Sequence, residues 1–107
     1  MRIIIIGAGK VGYNLAENLY KENHVTIIDK SMEALSKAEE NMEVLCIKGN
    51  GVSTNTLLEA GVKNVDLLIA VTNSDEINMV SCLTAKKLGA IKTVARIRDP
   101  EYAEELS

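Results

Sequence analysis

A glycine-rich segment near the amino terminus has the spacing of a dinucleotide-binding loop. Gly7, Gly9 and Gly12 form a Gly-x-Gly-x-x-Gly pattern that follows four isoleucines and opens an amphipathic stretch. The first glycine permits a tight turn, the second lets the backbone approach a pyrophosphate, and the third lets helix and strand pack closely. The free N–H groups at the start of a helix favour bound phosphate. We therefore expect a phosphate site formed by Gly7, Ala8, Gly9, Lys10, Val11 and Gly12.

An acidic residue stands where dinucleotide-binding folds contact ribose. Asp29 lies 22 positions beyond Gly7 (29 − 7), close to the usual spacing of about 20 residues. A carboxylate there accepts hydrogen bonds from ribose hydroxyls and repels a 2′-phosphate, which favours NAD or NADH over NADP. An alternative is that the glycines only form a tight turn and that Asp29 caps the next turn. Lys30 either reaches a phosphate or is a solvated turn residue.

Three later segments are expected to reach the same site. Asn50 and Gly51 follow the third apolar run, where glycine allows either close approach to a ligand or a plain flexible turn. Thr72 and Asn73 follow the fourth run, where they contact the cofactor or cap the next helix. Arg96 ends the fifth run, from which it could contact phosphate or ribose.

No pattern for covalent or acid–base catalysis accompanies the glycine loop. The sequence contains no Gly-x-Ser-x-Gly, His-Glu-x-x-His or Cys-x-x-Cys motif, and none of its three tyrosines is followed by lysine four positions later. We therefore expect neither enzymatic activity nor a metal site. The remaining candidates are interpreted as structural or surface residues, namely His24, Cys46, Cys82 and Arg98.

The elements that must position these residues alternate along the chain. Apolar runs predict strands at residues 2–6, 24–28, 43–47, 66–71 and 92–96. Helical patterns are found at residues 10–21, 32–40, 54–60 and 75–88, and a fifth helix begins at Pro100 behind Asp99 as its N-cap. This alternation predicts a Rossmann-like, doubly wound α/β fold with a parallel sheet and helices on both faces. Because the first and fourth runs are the most apolar, the predicted strand order is 3-2-1-4-5.

Apolar residues at helical spacing predict which helix faces are buried. The inward stripe of the first helix is expected at Val11, Leu15 and Leu19. That of the fourth helix is expected at Ile77, Val80, Thr84 and Leu88.

The composition fits one domain over residues 1–107. Of the 107 residues 47% are hydrophobic and 25% are charged, with a net charge of −3, so the chain has no basic field that would hold nucleic acid. The longest apolar run, residues 67–71, is far shorter than the roughly 20 residues of a membrane helix. Two distant cysteines build neither a disulfide scaffold nor a zinc site. We expect a cytoplasmic domain, and the fifth helix with no strand after it indicates a fragment of a longer chain.

The chain resembles the N-terminal domain of Trk-type potassium-uptake regulatory proteins, also called RCK or KTN domains. The resemblance covers the whole chain and rests on residues 1–12, 25–29, 70–79 and 95–102. The first two segments are common to Rossmann domains, whereas the last two are more particular to this family. One position departs from the family, which often has Gly-Asp after the third strand where this chain has Gly49 and Asn50.

The resemblance implies a cytoplasmic ligand sensor that is peripheral to the membrane and bound to an integral-membrane potassium transporter or channel. NAD or NADH, or in some relatives an adenine nucleotide, would bind at the glycine loop and change the shape of a homo-oligomer, a dimer or a larger ring. The module itself would not enter the membrane. The implied cofactor contacts are residues 7–11, Asp29, Asn50, Gly51, Thr72, Asn73 and Arg96. Two alternatives stay open, the cofactor-binding half of an NAD-dependent dehydrogenase and an adenine-nucleotide switch.

Overall fold

A parallel sheet forms the centre of the molecule in the computed structural model, which describes residues 1–106 apart from the side chains of Ala103 and Leu106. Its strands are β1 (Arg2–Ile6), β2 (His24–Asp29), β3 (Leu45–Lys48), β4 (Leu67–Ala70) and β5 (Lys92–Ala95). They are hydrogen-bonded in the order β3-β2-β1-β4-β5, and each neighbouring pair is parallel. The predicted fold class and strand order are confirmed.

The helices follow the strands in turn and begin at side-chain caps with one exception. They are α1 (Lys10–Leu19), α2 (Met32–Asn41), α3 (Thr54–Glu59), α4 (Asp75–Leu88) and α5 (Pro100–Leu106). Ser31, Ser53 and Ser74 each accept a hydrogen bond from a backbone N–H of the first turn that follows. Asp99 accepts from the Glu101 N–H (2.9 Å) at the start of α5, as predicted. These caps satisfy N–H groups that a helix leaves without a partner. The exception is α1, whose first turn has no side-chain cap.

β1 is covered on both faces because its side chains alternate across the sheet. Ile3 and Ile5 pack in one apolar cluster with residues of α1 and α2. Ile4 and Ile6 pack in a second cluster with residues of α3 and α4. The four isoleucines are 0–2% exposed. This burial is what the predicted central position of the first strand requires.

The buried stripes predicted for the first and fourth helices are partly wrong. Val11 is 37% exposed and Val80 is 46% exposed, while the other predicted stripe residues are half-buried. In α1 the buried residues are Gly12 and Ala16. In both helices small or polar side chains are the buried ones, and the larger aliphatic ones are half-buried or exposed. In α4 the buried residues are Asn78, Ser81, Cys82 and Ala85.

The bounds of the elements differ from prediction by one or two residues. β3 begins two residues later and α1 ends two residues earlier than predicted, and a 3₁₀ turn at Val62–Asn64 was not predicted. Arg96 lies just beyond β5, where its N–H still donates to the Ala70 carbonyl (2.9 Å). No helix within residues 1–106 has the length and apolar character needed to cross a membrane.

Candidate functional site

A groove of about 370 Å³ lies at the carboxyl edge of the sheet, over the ends of β1, β2 and β4. In doubly wound folds ligands bind at this edge, where the winding direction reverses between the two central strands. A larger hollow of about 740 Å³ at the opposite edge is lined by residues such as Tyr20, His24 and Glu43, without a glycine loop. The predicted residues that line the groove are Gly7, Gly9, Asp29, Asn50, Gly51, Thr72 and Asn73.

The three glycines of the loop after β1 are under different structural constraints. Gly7 has a φ of +110°, a conformation that other residues rarely adopt. A Cβ atom on Gly12 would lie 1.7 Å from the Gly7 carbonyl oxygen, whereas a Cβ atom on Gly9 would meet nothing within 4 Å. The fold therefore requires the first and third glycines. The second leaves open space beside the groove, as expected where a ligand approaches the backbone.

The start of α1 adjoins this space through Gly9 and carries hydrogen-bond donors, although Ala8, Lys10, Val11 and Gly12 do not themselves line the groove. The first helical hydrogen bond runs from the Tyr13 N–H to the Gly9 carbonyl (2.8 Å), so the N–H groups of Lys10, Val11 and Gly12 have no partner within the helix. The first turn of α1 contains no acidic residue. Its partial positive charge therefore remains available to an anion.

Asp29 joins the loops that follow β1 and β2. Its Oδ2 accepts from the Ala8 N–H (2.7 Å) and its Oδ1 from the Ser31 N–H (2.7 Å), and its backbone carbonyl accepts from the Gly49 N–H (3.0 Å). The turn-capping role left open above is therefore present. Each carboxylate oxygen keeps capacity for a second hydrogen bond, so capping and ligand binding are compatible in one side chain.

The loop after β3 is held against the sheet. Asn50 Oδ1 accepts from the Val52 N–H (3.1 Å), and a Cβ atom on Gly51 would lie 2.4 Å from Ile6 Cγ2. The close approach that Gly51 permits is therefore to the strand beneath it. Ser81 Oγ also lies under this loop, 3.4 Å from that Cβ position, and it is buried without a hydrogen-bond partner among the described residues.

The loop after β4 is organised by Asn78, which sequence analysis missed. Asn78 is 0% exposed. Its Oδ1 accepts from the Thr72 N–H (2.9 Å) and the Thr72 hydroxyl (2.7 Å), and its Nδ2 donates to the carbonyls of Thr72 (3.1 Å) and Arg96 (2.9 Å). These contacts use the full hydrogen-bonding capacity of the amide. A sequence signal was available, because Asn78 shares a helical face with Cys82 and Ala85.

The two arginines at the end of β5 are placed differently relative to the groove. Arg96 does not line the groove, and its carbonyl rather than its guanidinium joins the network through Asn78. Arg98, interpreted above as a surface charge, donates from Nη2 to the Asn73 carbonyl (2.8 Å). Of these two residues, Arg98 is therefore the one whose guanidinium supports the groove wall.

Two carboxylates at the start of α4 fasten the segment that follows β5. Asp75 accepts from the N–H groups of Arg98 (3.0 Å) and Asp99 (2.8 Å), and these bonds lower the pKa of Asp75. Glu76 accepts from the Tyr102 hydroxyl (2.7 Å), which lowers the pKa of Glu76 and raises that of Tyr102. Residues 1–106 bring together no cluster of acidic, histidine or cysteine side chains that could hold a metal ion.

Comparisons of the sequence with known proteins identify one family. The family model of the TrkA-N domain matches residues 3–107. The Trk system potassium uptake protein TrkA homolog of Archaeoglobus fulgidus is 42% identical over 104 residues, which are 97% of this chain and 24% of that protein. The Trk system potassium uptake protein TrkA of Vibrio alginolyticus is 44% identical over 107 residues, with 98% and 23% covered. The chain thus spans about a quarter of the length of these relatives.

A solved structure shares the fold over almost the whole chain. The Kef CTD of Shewanella denitrificans in its AMP-bound form superposes with a TM-score of 0.82 at 24% identity. The match covers 98% of this chain and 64% of the Kef chain. At this level of identity the likeness concerns the arrangement of strands and helices.

Proposed function

The chain belongs to the TrkA-N domain family, and from this membership we propose that it is a regulatory module of a potassium uptake system or channel. In this proposal NAD or NADH binds in the groove and changes the conformation of the assembly that gates ion transport. The relatives named as potassium uptake proteins support the transport context. Nucleotide binding is supported most by the start of α1, where three N–H groups without helical partners lie beside the open space at Gly9.

The proposed pose divides the ligand between the glycine loop and Asp29. The phosphates take the N–H groups of Lys10, Val11 and Gly12, and the adenosine ribose donates its hydroxyls to the carboxylate oxygens of Asp29. A 2′-phosphate there would be repelled, so NAD or NADH is preferred to NADPH. The groove volume of about 370 Å³ lies within the range of about 300–1,000 Å³ common for small-molecule sites.

An adenine nucleotide is the second candidate ligand. AMP carries the same adenosine ribose and one phosphate, so it can use Asp29 and the start of α1 in the same way. The Kef CTD, whose fold this chain shares, is described with AMP bound, and AMP is therefore included among the probes below.

The relatives named as potassium uptake proteins favour a sensor over a dehydrogenase. The titratable side chains that line the groove are Asp29 and Lys30, and both Asp29 oxygens already accept backbone N–H groups. This set holds no acid–base pair suited to hydride chemistry. Because a shared fold does not decide function, a separate assay should test for NADH oxidation with a panel of carbonyl compounds. We expect no NADH oxidation above background, and steady NADH oxidation with any one carbonyl compound would support the dehydrogenase alternative.

The proposed assembly is a homo-oligomer, a dimer or larger ring, attached to the cytoplasmic side of a membrane transporter. Val80 and Leu83, three positions apart on α4, are exposed aliphatic side chains that form a face suited to a second copy, and Val94 is exposed on the edge strand β5. Light scattering should give at least a dimer mass, and Leu83→Glu should shift it toward the monomer. A monomer mass at high protein concentration would contradict self-association of this chain.

Calorimetric titration with NAD, NADH, NADPH and AMP tests the binding proposal. We expect NAD or NADH to bind, and Gly9→Ala to weaken every nucleotide at least tenfold because the added methyl occupies the approach to the backbone. The matched control is Glu17→Ala, an exposed change on the same helix, which should bind as wild type does. Failure of the wild-type chain to bind any of the four nucleotides would refute the proposal, as would unchanged binding by Gly9→Ala.

A further inference from the structure

Thr72 has no hydrogen left to donate to a ligand. Its N–H is donated to Asn78 Oδ1 (2.9 Å). Its hydroxyl hydrogen is directed to Asn78 Oδ1 (2.7 Å), with the Ser74 carbonyl (3.2 Å) as a second acceptor inside the protein. The hydroxyl oxygen in turn accepts from the Ser74 N–H (3.2 Å). The group that Thr72 can still offer is the remaining lone pair of Oγ1.

This polarity decides what can lie against Thr72 in the groove. Thr72 is half-buried and lines the groove, so a ligand atom beside it meets an acceptor. A phosphate oxygen is itself an acceptor and gains no hydrogen bond from Oγ1. A hydroxyl or an amide N–H of the ligand would gain one.

The groove consequently presents acceptors on both sides of a set of donors. β2 and β4 are the two neighbours of β1, and strands lie about 4.8 Å apart, so the ends of β2 and β4 are roughly 10 Å apart. Asp29 contributes acceptors at the end of β2 and Thr72 contributes one beyond the end of β4, with the N–H groups of α1 between them. A molecule that matches this order has a hydroxyl-bearing ribose on each side of a pyrophosphate, as a dinucleotide does.

Asn78 Oδ1 fixes the polarity, and its Nδ2 holds the surrounding backbone. A carboxylate at this position could accept from both Thr72 donors but could not donate to the carbonyls of Thr72 and Arg96. An aliphatic side chain would release the Thr72 hydroxyl to turn its hydrogen toward the groove. Because Asn78 is fully buried, water cannot replace either set of contacts.

We propose that Asn78 is a positioning residue that fixes Thr72 as a hydrogen-bond acceptor, and that Thr72 receives a hydroxyl of the second ribose of a dinucleotide. This inference rests on the proposed function, since it assumes a nucleotide in the groove. It goes beyond that function because it predicts that the groove distinguishes dinucleotides from mononucleotides. The discrimination is assigned to the Thr72 hydroxyl and the buried Asn78 amide.

Titration of AMP and ADP-ribose into wild type, Thr72→Val and Thr72→Ser tests the inference. ADP-ribose carries the second ribose without nicotinamide, and AMP lacks it. We expect Thr72→Val to weaken ADP-ribose about fivefold, the size of one net hydrogen bond, and to leave AMP within about twofold. Thr72→Ser should restore the preference for ADP-ribose, which a general disturbance of the loop would not predict. Asn78→Ala, which frees the Thr72 hydroxyl to donate toward the groove, should reduce the same preference, whereas Asn78→Asp, which still accepts from both Thr72 donors, should retain it.

A comparison of ADP-ribose with ADP on the wild-type chain tests the inference without any variant. We expect ADP-ribose to bind more tightly, and equal or tighter binding of ADP would overturn the inference. Equal weakening of AMP and ADP-ribose by Thr72→Val, or weakening of neither, would also overturn it while nucleotide binding by wild type stands. Failure of the wild-type chain to bind any nucleotide would instead refute the proposed function.

Discussion

The two loops that face each other across the groove are built in opposite ways. The loop after β1 is made of backbone, and its glycines leave the N–H groups of α1 without partners. The loop after β4 is made of side-chain contacts, in which Asn78 takes both donors of Thr72 and Arg98 holds the Asn73 carbonyl. The start of α1 therefore gives hydrogen bonds, whereas Thr72 receives them. The hydrogen-bonding character of the groove therefore depends both on donors that are already bonded within the protein and on donors that are left free.

The largest effect expected is on the loop after β1, where Gly12→Ala should destabilise the whole domain. The added Cβ would lie 1.7 Å from the Gly7 carbonyl oxygen, so the backbone must shift. We expect a loss of about 3 kcal/mol or more in the free energy of unfolding, at the upper end of the effect of overpacking, measured by urea denaturation. Gly9→Ala is the matched control, because its Cβ meets nothing within 4 Å. Equal losses for the two variants would show that the three glycines do not differ as described.

The two loops also differ in how far sequence alone predicts them. Gly7 and Gly12 are required by a positive φ and a close backbone contact, and such constraints leave a fixed spacing in the sequence. Asn78 leaves only a weaker signal, its place on one helical face with Cys82 and Ala85, since most asparagines in helices are exposed. Its role depends on the rotation of α4 about its axis. The predicted stripe through Val80 lies about one residue away from the buried face of α4. The buried face consists of small and polar residues, which a search for large apolar side chains does not find.

A second prediction concerns the wall after β4, where Asn78→Ala should be strongly destabilising. The substitution leaves the Thr72 N–H and the carbonyls of Thr72 and Arg96 without the partners described above. Leaving buried polar groups unpaired predicts a loss of about 2–3 kcal/mol in the free energy of unfolding. Asn73→Ala, an exposed change in the same loop, should stay within about 0.5 kcal/mol of wild type. A loss below that of the control would mean that Asn78 does not organise this wall.

A third prediction concerns pH, because the wall after β4 is fastened by a charged group. The N–H groups of Arg98 and Asp99 lower the pKa of Asp75 in the folded chain below its ordinary value of 3.8. A lowered folded-state pKa adds stability that is present above the unfolded pKa and is lost as pH falls through the folded pKa. Asp75→Asn should therefore lower Tm most near neutral pH, and the gap to wild type should shrink as the pH falls below 3.8. Thermal scans across this range would contradict the assignment if the gap stayed constant.

The smallest effect expected lies beneath the groove, where Ser81→Ala should stabilise the domain slightly. Ser81 Oγ is buried under the Gly51 loop and has no hydrogen-bond partner within the part of the chain that the structure describes, so its removal costs no hydrogen bond and relieves an unsatisfied polar group. Alanine is also the better helix former. We expect a gain of about 0.5–1 kcal/mol, seen as a rise in Tm, with nucleotide affinity unchanged because Ser81 does not line the groove.

The same chemical change at Ser31 should have the opposite sign. Ser31 Oγ accepts from the Ala34 N–H (3.1 Å) at the start of α2, and loss of such a cap costs about 1 kcal/mol. Measured together by thermal denaturation, the pair separates the effect of the hydrogen bond from that of the residue type. If Ser81→Ala also destabilised the domain, its hydroxyl would have a partner in solution, and the packing of the Gly51 loop onto the sheet would include a polar contact. Opposite signs would leave the floor of the groove apolar, with its hydrogen-bonding polarity confined to the two walls.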